Sequence, residues 1–235
     1  MGLLRAMILA TGLMLGGSAA LAQDSNNALS AYNAGDFSTA FDEWMSLAEQ
    51  GDVNAQYNIG WMYQSGEGVV QNEEEAVRWY RRAAEQGNVS AQYNLGLIYS
   101  NGDGVLQDYS EAAKWFRLAA ERGDAGAQSK LGYMNAMGNG MLQDYAVANN
   151  WWRSAAEQGY AAAQQNIGTS YRNGYGVLQD NVRAHMWFNI SAANGAELAP
   201  QLRDDMSDIM TSADISQAQA MARECMNSDY LNCGW

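Results

Sequence analysis

Apolar residues recur along this chain with a helical period, and the stripes they form recur in turn every 36 residues. The stretch around 112–120 carries Ala112, Trp115, Phe116, Ala119 and Ala120 at spacings of three and four, one face of a helix. One period later the same slots hold Ala148, Trp151, Trp152, Ala155 and Ala156. A second stripe, Ala91, Leu95, Ile98 and Tyr99, predicts a second helix in each unit. Units therefore span 37–72, 73–108, 109–144 and 145–180, with a partial fifth from 181. A fixed period of this size means one two-helix unit stacked on copies of itself. Nowhere does the pattern show the strict alternation of a half-buried strand.

The polar punctuation fits the same frame. Gly51, Gly87, Gly123, Gly159 and Gly195 fall between the two helices, where a left-handed cap is needed. The connection to the next unit reads GDGVLQD at 102–108, GNGMLQD at 138–144 and GYGVLQD at 174–180. Its glycines supply backbone angles that other residues resist. Asp108 is placed to cap the next helix, with Glu111 three residues later as the partner of a capping box, and Asn72 with Glu75 repeats this. Val105 and Leu106 are expected to tuck the loop against the core. A phosphate loop would require a preceding strand and a lysine. A calcium loop would require alternating oxygen ligands ending in a glutamate. Neither pattern is present, so the glycines and acids read as architectural.

Residues 76–105 carry Ala76, Trp79, Tyr80, Ala83, Ala84, Gly87, Ala91, Gln92, Leu95, Gly96, Tyr99, Gly102, Gly104 and Val105. In this spacing they resemble the Sel-one-like repeat family, relatives of the tetratricopeptide repeats, of an exported bacterial type. The likeness runs over roughly 37–199. It implies an all-α, right-handed α-α solenoid. Three departures stand out. Asn135 replaces the tyrosine of Tyr63, Tyr99 and Tyr171. Ser129-Lys130 replaces Tyr57-Asn58 and Tyr93-Asn94. Arg203-Asp204 breaks the fifth unit, which is therefore terminal. Caps are expected at both ends: a lone helix within 23–36, and a C-terminal helical cap over 200–235 with Ile215, Ala218, Ala222 and Cys225 on one face.

The first 22 residues read as something else. Arg5 precedes a short apolar core at 6–17, and Ala20-Leu21-Ala22 forms a small-residue cleavage site. This predicts a signal peptide cleaved after Ala22 and a periplasmic or secreted protein. Removing it takes away one cation and no acid, so the net charge of −13 becomes −14. Such a charge argues against nucleic-acid partners and against an anionic membrane surface, and no direct membrane insertion is expected. In an oxidising compartment Cys225 and Cys233, eight residues apart, read as a disulfide. It would fold the tail, with Tyr230 and Trp235, back onto the last helix.

Candidate chemistry is sparse. His185 is the single histidine, and no nucleophile or metal motif occurs. No catalytic, cofactor or metal residue is assigned, and the expected class is not an enzyme. Trp79, Trp115, Trp151 and Trp187 recur on the apolar stripe and read as core rather than as a sugar platform. Trp61 and its slot-mate Tyr133 lie on a variable second-helix face suited to a partner. Of the twelve cations left after cleavage, Arg78, Arg81, Arg82, Lys114, Arg117 and Arg153 lie on first helices. Arg81, Arg117 and Arg153 share one slot, with Glu85, Glu121 and Glu157 four residues on as ion-pair partners. First helices line the concave groove in tetratricopeptide-like solenoids, so the resemblance turns these cations into a basic strip. It implies a scaffold or regulatory adaptor for a protein or peptide, such as a membrane sensor or an envelope assembly component. The alternative is an envelope enzyme or cell-wall binder of the β-lactam-hydrolase-like kind found among cysteine-rich members. Those pair cysteines inside each repeat, where this chain has none.

Overall fold

In a computed structural model, residues 26–234 are described. The predicted signal peptide and Trp235 lie outside them. The described residues divide into two compact units, one ending at Gln107 and the other beginning at Asp108.

In the first unit, residues 26–33 (α1) are helical and are followed by α2 (Phe37–Glu49), α3 (Val53–Ser65), α4 (Glu73–Glu85) and α5 (Val89–Asn101). Each helix packs on the next, α2 on α3, α3 on α4 and α4 on α5. The second unit holds α6 (Tyr109–Glu121), α7 (Ala125–Met137), α8 (Tyr145–Ala156), α9 (Ala161–Asn173), α10 (Asn181–Ala193), α11 (Ala199–Ser207) and α12 (Ser212–Asn227). The same serial packing runs from α6 to α11, and α12 closes back on α10. No strand occurs among the described residues. The boundaries repeat at 36 residues because the caps do. Asn72, Asp108, Asp144 and Asp180 each accept a backbone N–H at the start of a first helix. Gly66, Gly102, Gly138 and Gly174 close the second helices in the left-handed conformation. Glu75 and Glu111 do not complete capping boxes; their carboxylates pair with Arg78 and Lys114 instead.

Two recurrent contacts set the helix spacing. In α3, α7 and α9 a glycine faces an aromatic ring of the following first helix. A methyl group placed on Gly60 would lie 2.7 Å from the Tyr80 ring, and one on Gly168 would lie 2.7 Å from Phe188. At Gly132 the partner is Trp152, at 2.4 Å. The larger indole fits there because Ser129 stands where Tyr57 packs against Tyr80 in the first unit, and the Trp152 Nε1 donates to the Ser129 carbonyl at 3.2 Å. That is the physical reason for one of the sequence departures. Asn135, the other departure in this repeat, is buried and donates to the Leu131 carbonyl.

The second contact is polar. Gln56, Gln92, Gln128 and Gln164 are buried, and each side-chain amide donates to a carbonyl eight residues back, at 3.0–3.2 Å. The oxygens of Gln56, Gln128 and Gln164 accept from Gln86, Gln158 and Asn194 respectively. A buried amide satisfied on both sides fixes the register between successive helix pairs. The motif carries this glutamine in its sequence, but its apolar stripe gave it no role.

Both ends are capped. In α1, Ala28 is fully buried and Tyr32 packs against Phe37 and Trp44. Pro200 sits in the first turn of α11, where a missing N–H costs little. Ala218, Ala222 and Cys225 are buried along α12, with Ile215 half-buried at its start.

Candidate functional site

The recurrent tryptophans are core side chains. Trp79, Trp115 and Trp187 are buried, and Trp151 is half-buried beside the buried Trp152. What reaches solvent is a set of cations on first helices and a few aromatics on second helices.

The three arginines of the shared slot make three different contacts. In the first unit Arg81 turns away from Glu85 and hydrogen-bonds the Tyr99 hydroxyl, its guanidinium over that ring. In the second unit Arg153 pairs with Glu157 at 3.0 Å, as its spacing predicts. Arg117 is exposed and makes no ion pair among the described residues. Arg78 and Lys114 are tied to the acid one turn before them, at 2.5 and 2.8 Å. The Glu111 carboxylate, hydrogen-bonded to Lys114, holds that ammonium's pKa above its ordinary value. Arg82 lies 4.4 Å over the Trp79 ring.

Around Arg117 the surface opens into a recess of about 440 Å³. Lys114, Arg117, half-exposed Leu118 and Glu121 of α6 line it, and Gly140 and Met141 of the α7–α8 connection form its far wall. An aliphatic floor beside two cations suits a segment that offers a carboxylate and an apolar side chain. A second, smaller recess of about 140 Å³ lies between α8 and α9, lined by Asn149, Asn150, Arg153, Ile167, Tyr171 and Val177.

The second-helix candidates are exposed as well, Trp61 at 43% and Tyr133 at 51%. Trp61 is part of a small network. Its Nε1 meets the Tyr32 hydroxyl at 3.4 Å, and that hydroxyl donates to Glu67 at 2.6 Å. The Glu67 hydrogen bond is the main reason the Tyr32 phenol is raised above its ordinary pKa. Trp61 is thus held by the N-terminal cap, while Leu97 in the equivalent slot is half-buried.

His185 is buried between α10 and α11. Its Nε2 meets the Ser207 hydroxyl at 3.1 Å, and its Nδ1 is buried without a hydrogen-bond partner. Burial, then the nearby Arg203 charge, push the imidazole below its ordinary pKa, with Asp204 opposing. The folded state therefore holds His185 neutral where the unfolded chain begins to take up a proton. Its stabilising contribution is complete above about pH 6.5 and is lost as the pH falls below that value. Thermal melts from pH 7.5 to 5 should show a falling midpoint that His185→Gln flattens. An unchanged slope in the variant would assign the pH dependence to other groups.

Cys225 and Cys233 come together as a disulfide at the end of α12, with Cα atoms 4.5 Å apart. Among the described residues no cluster of acids, histidine or cysteines is arranged to hold a metal ion, and no helix is long and apolar enough to cross a membrane.

This geometry defines a helical-repeat solenoid protein that presents side chains from successive two-helix units. The Sel1 repeat family model matches residues 53–88, 89–124, 125–160 and 161–195, the same period phased to begin at each second helix. The chain belongs to the Sel1 repeat family, whose members generally bind protein partners. Among solved structures it is similar to c5321, a protective antigen present in uropathogenic Escherichia coli strains and displaying an SLR fold, with 33% identity and a TM-score of 0.80. That match covers 93% of this chain but 48% of the other, so this chain spans about half of that relative's length. A Sel1 repeat protein from Oxalobacter formigenes is similar at 34% identity with a TM-score of 0.69, over 88% of this chain and 77% of that one. No curated protein matches the chain.

Proposed function

We propose that the protein is an exported scaffold or regulatory adaptor that holds an acidic protein segment along its first helices. The observation that carries this reading is the recess at Arg117. In a chain with twice as many acids as cations, an unpaired guanidinium and a lysine flank an exposed leucine there. Charge of that sign against a chain of net −13 selects an acidic partner by contrast with its surroundings. The leader-like first 22 residues support export to the periplasm or beyond, and the similar Escherichia coli protein is a protective antigen, which fits an exported chain.

The test is Arg117→Glu. Crosslinking in the periplasm followed by capture on the purified protein should recover a partner, and the variant should recover it at least about tenfold less well, since an interfacial charge contact is worth more than about 1.4 kcal/mol. The melting temperature should hold, because Arg117 makes no ion pair among the described residues. Capture that is unchanged in the variant would remove the recess from the binding surface and leave the Trp61 and Tyr133 faces as the place to look.

A further inference from the structure

Two helices of the first unit carry no charged side chain. α3 and α5 have 13 residues each and not one Asp, Glu, Lys or Arg, in a chain where 17% of residues are charged. Their counterparts in the second unit, α7 and α9, each carry a cation, Lys130 and Arg172. Between α3 and α5 lies a trough of about 430 Å³. Trp61 and the half-buried Leu97 line it, with Gln64, Asn94, Asn101 and Asp103 as polar members. Trp61 is the one large hydrophobic of these two helices that is well exposed.

These groups are set before anything binds. The Tyr80 side chain is buried, and its hydroxyl donates to the Gln64 Oε1 at 2.9 Å and accepts from the Asn94 amide. One phenol therefore fixes an amide on each wall, in opposite senses. Gln64 is left with its N–H donors and Asn94 with its carbonyl acceptor. Asn101 donates to the Asp103 carboxylate at 3.1 Å. The Trp61 indole is held at its Nε1 by the Tyr32 hydroxyl.

We propose that this trough binds an uncharged saccharide, with a pyranose ring on the Trp61 indole and its hydroxyls on the Gln64 and Asn94 amides. A hydroxyl donates and accepts at once, so neighbouring hydroxyls match a donor and an acceptor fixed by one phenol. The C–H face of a pyranose is flat and apolar, and it suits the electron-rich face of an indole. Charge excludes the other small ligands. An anion would meet the Asp103 carboxylate and no cation, and a cation would find that one carboxylate already engaged by Asn101. A protein segment fits less well, because it draws its affinity from several side chains sunk in pockets, and the trough offers one exposed ring beside Leu97. The volume falls within the range of small-molecule sites.

The test is calorimetric titration of the full mature protein with cellohexaose and with N-acetylchitohexaose. At least one should bind saturably, and the anionic hexagalacturonate should not bind. Trp61→Leu should weaken the binding at least about tenfold and keep the melting temperature, since Leu97 occupies the equivalent slot of the next repeat. Gln64→Glu retains an acceptor for Tyr80 but removes the N–H donors, and should weaken binding to a similar degree. Failure of both neutral sugars to bind, or equal binding to wild type and Trp61→Leu, would overturn the proposal. So would Trp61-dependent binding of hexagalacturonate or of an uncharged peptide of serine and asparagine. Arg117 lies in the other unit, and Arg117→Glu should leave sugar binding unchanged, so this trough and the recess stand or fall separately.

Discussion

Gly140→Ala should destabilise the second unit by about 3 kcal/mol, whereas Gly123→Ala should cost only about 1 kcal/mol. Both glycines have positive φ, +70° and +93°, so an alanine at either must adopt the left-handed conformation. Space separates them. At Gly123 an added methyl group meets nothing within 4 Å. At Gly140 it would lie 2.4–2.6 Å from the backbone of Tyr109 and Ser110. Backbone at a helix start cannot swing aside as a side chain can, so either the α7–α8 connection or the first turn of α6 must move. The same contact recurs at Gly176 over Tyr145, and in the first unit at Gly68 over Phe37. Gly138 is the internal control, because its nearest neighbour, the Gln143 side chain, would stand at 3.4 Å and a methyl group there adds only the conformational strain. Thermal and urea unfolding of the three variants decides the matter. For a chain of this size the larger loss lowers the midpoint by roughly 6–12 °C. Equal losses at Gly123 and Gly140 would show that φ alone matters and that the loop does not bear on the helix. Because Gly140 and Met141 also wall the Arg117 recess, Gly140→Ala should weaken partner capture as well.

The repeat makes most of the fold legible in the sequence itself. Helix starts follow from Asn72, Asp108, Asp144 and Asp180, and helix ends from the positive-φ glycines, because caps are local chemistry read from a few adjacent residues. Core tryptophans follow from periodicity. The failures have a common cause. Leu106 and its equivalents look like core because they adjoin Val105 in an apolar pair, yet a turn with two left-handed glycines points successive side chains in opposite directions, and hydropathy carries no direction within a turn. The buried glutamines were hidden for the converse reason, since Gln56, Gln128 and Gln164 are each satisfied on one side by a residue about 30 positions away, which no local pattern reveals. The arginine slot is legible as a repeat with an acid four residues on from each rung, but not which rung uses that acid. Tyr99 takes Arg81 across a helix pair, Glu157 takes Arg153 within its helix, and Arg117 is left open. Sequence shows the slot; which competitor wins depends on what the neighbouring helix brings.

Reduction of the Cys225–Cys233 bond should release the last repeat's cap and leave the first unit untouched. The bond closes a loop of eight residues, which limits its entropic stabilisation to about 2.5 kcal/mol. Its effect is concentrated because the loop it closes is otherwise ill-suited to its own conformation. Asp229 and Tyr230 both have positive φ, 49° and 65°, unusual for residues with side chains. They are held by the Tyr230 N–H to the Cys225 carbonyl at 2.9 Å, by the Asn232 N–H to the Ser228 hydroxyl at 2.9 Å, and by the bond itself. In this shape Tyr230 passes α12 and reaches the turn glycine Gly159, and its hydroxyl meets the Asn194 side chain at 2.9–3.0 Å. Asn194 also donates to the buried Gln164. The tail is therefore latched to the glutamine network of the final units and not only to its own helix. Mass spectrometry of unreduced protein should show the two cysteines joined. Hydrogen exchange of Cys233→Ser should then rise across 212–234 and around Asn194, with no change in α2 to α5. The reason is that repeats share stability mainly with their neighbours. Faster exchange spread evenly over the chain would mean that the repeats unfold as one block, and slow exchange preserved at Asn194 would mean that Tyr230 holds its place without the bond.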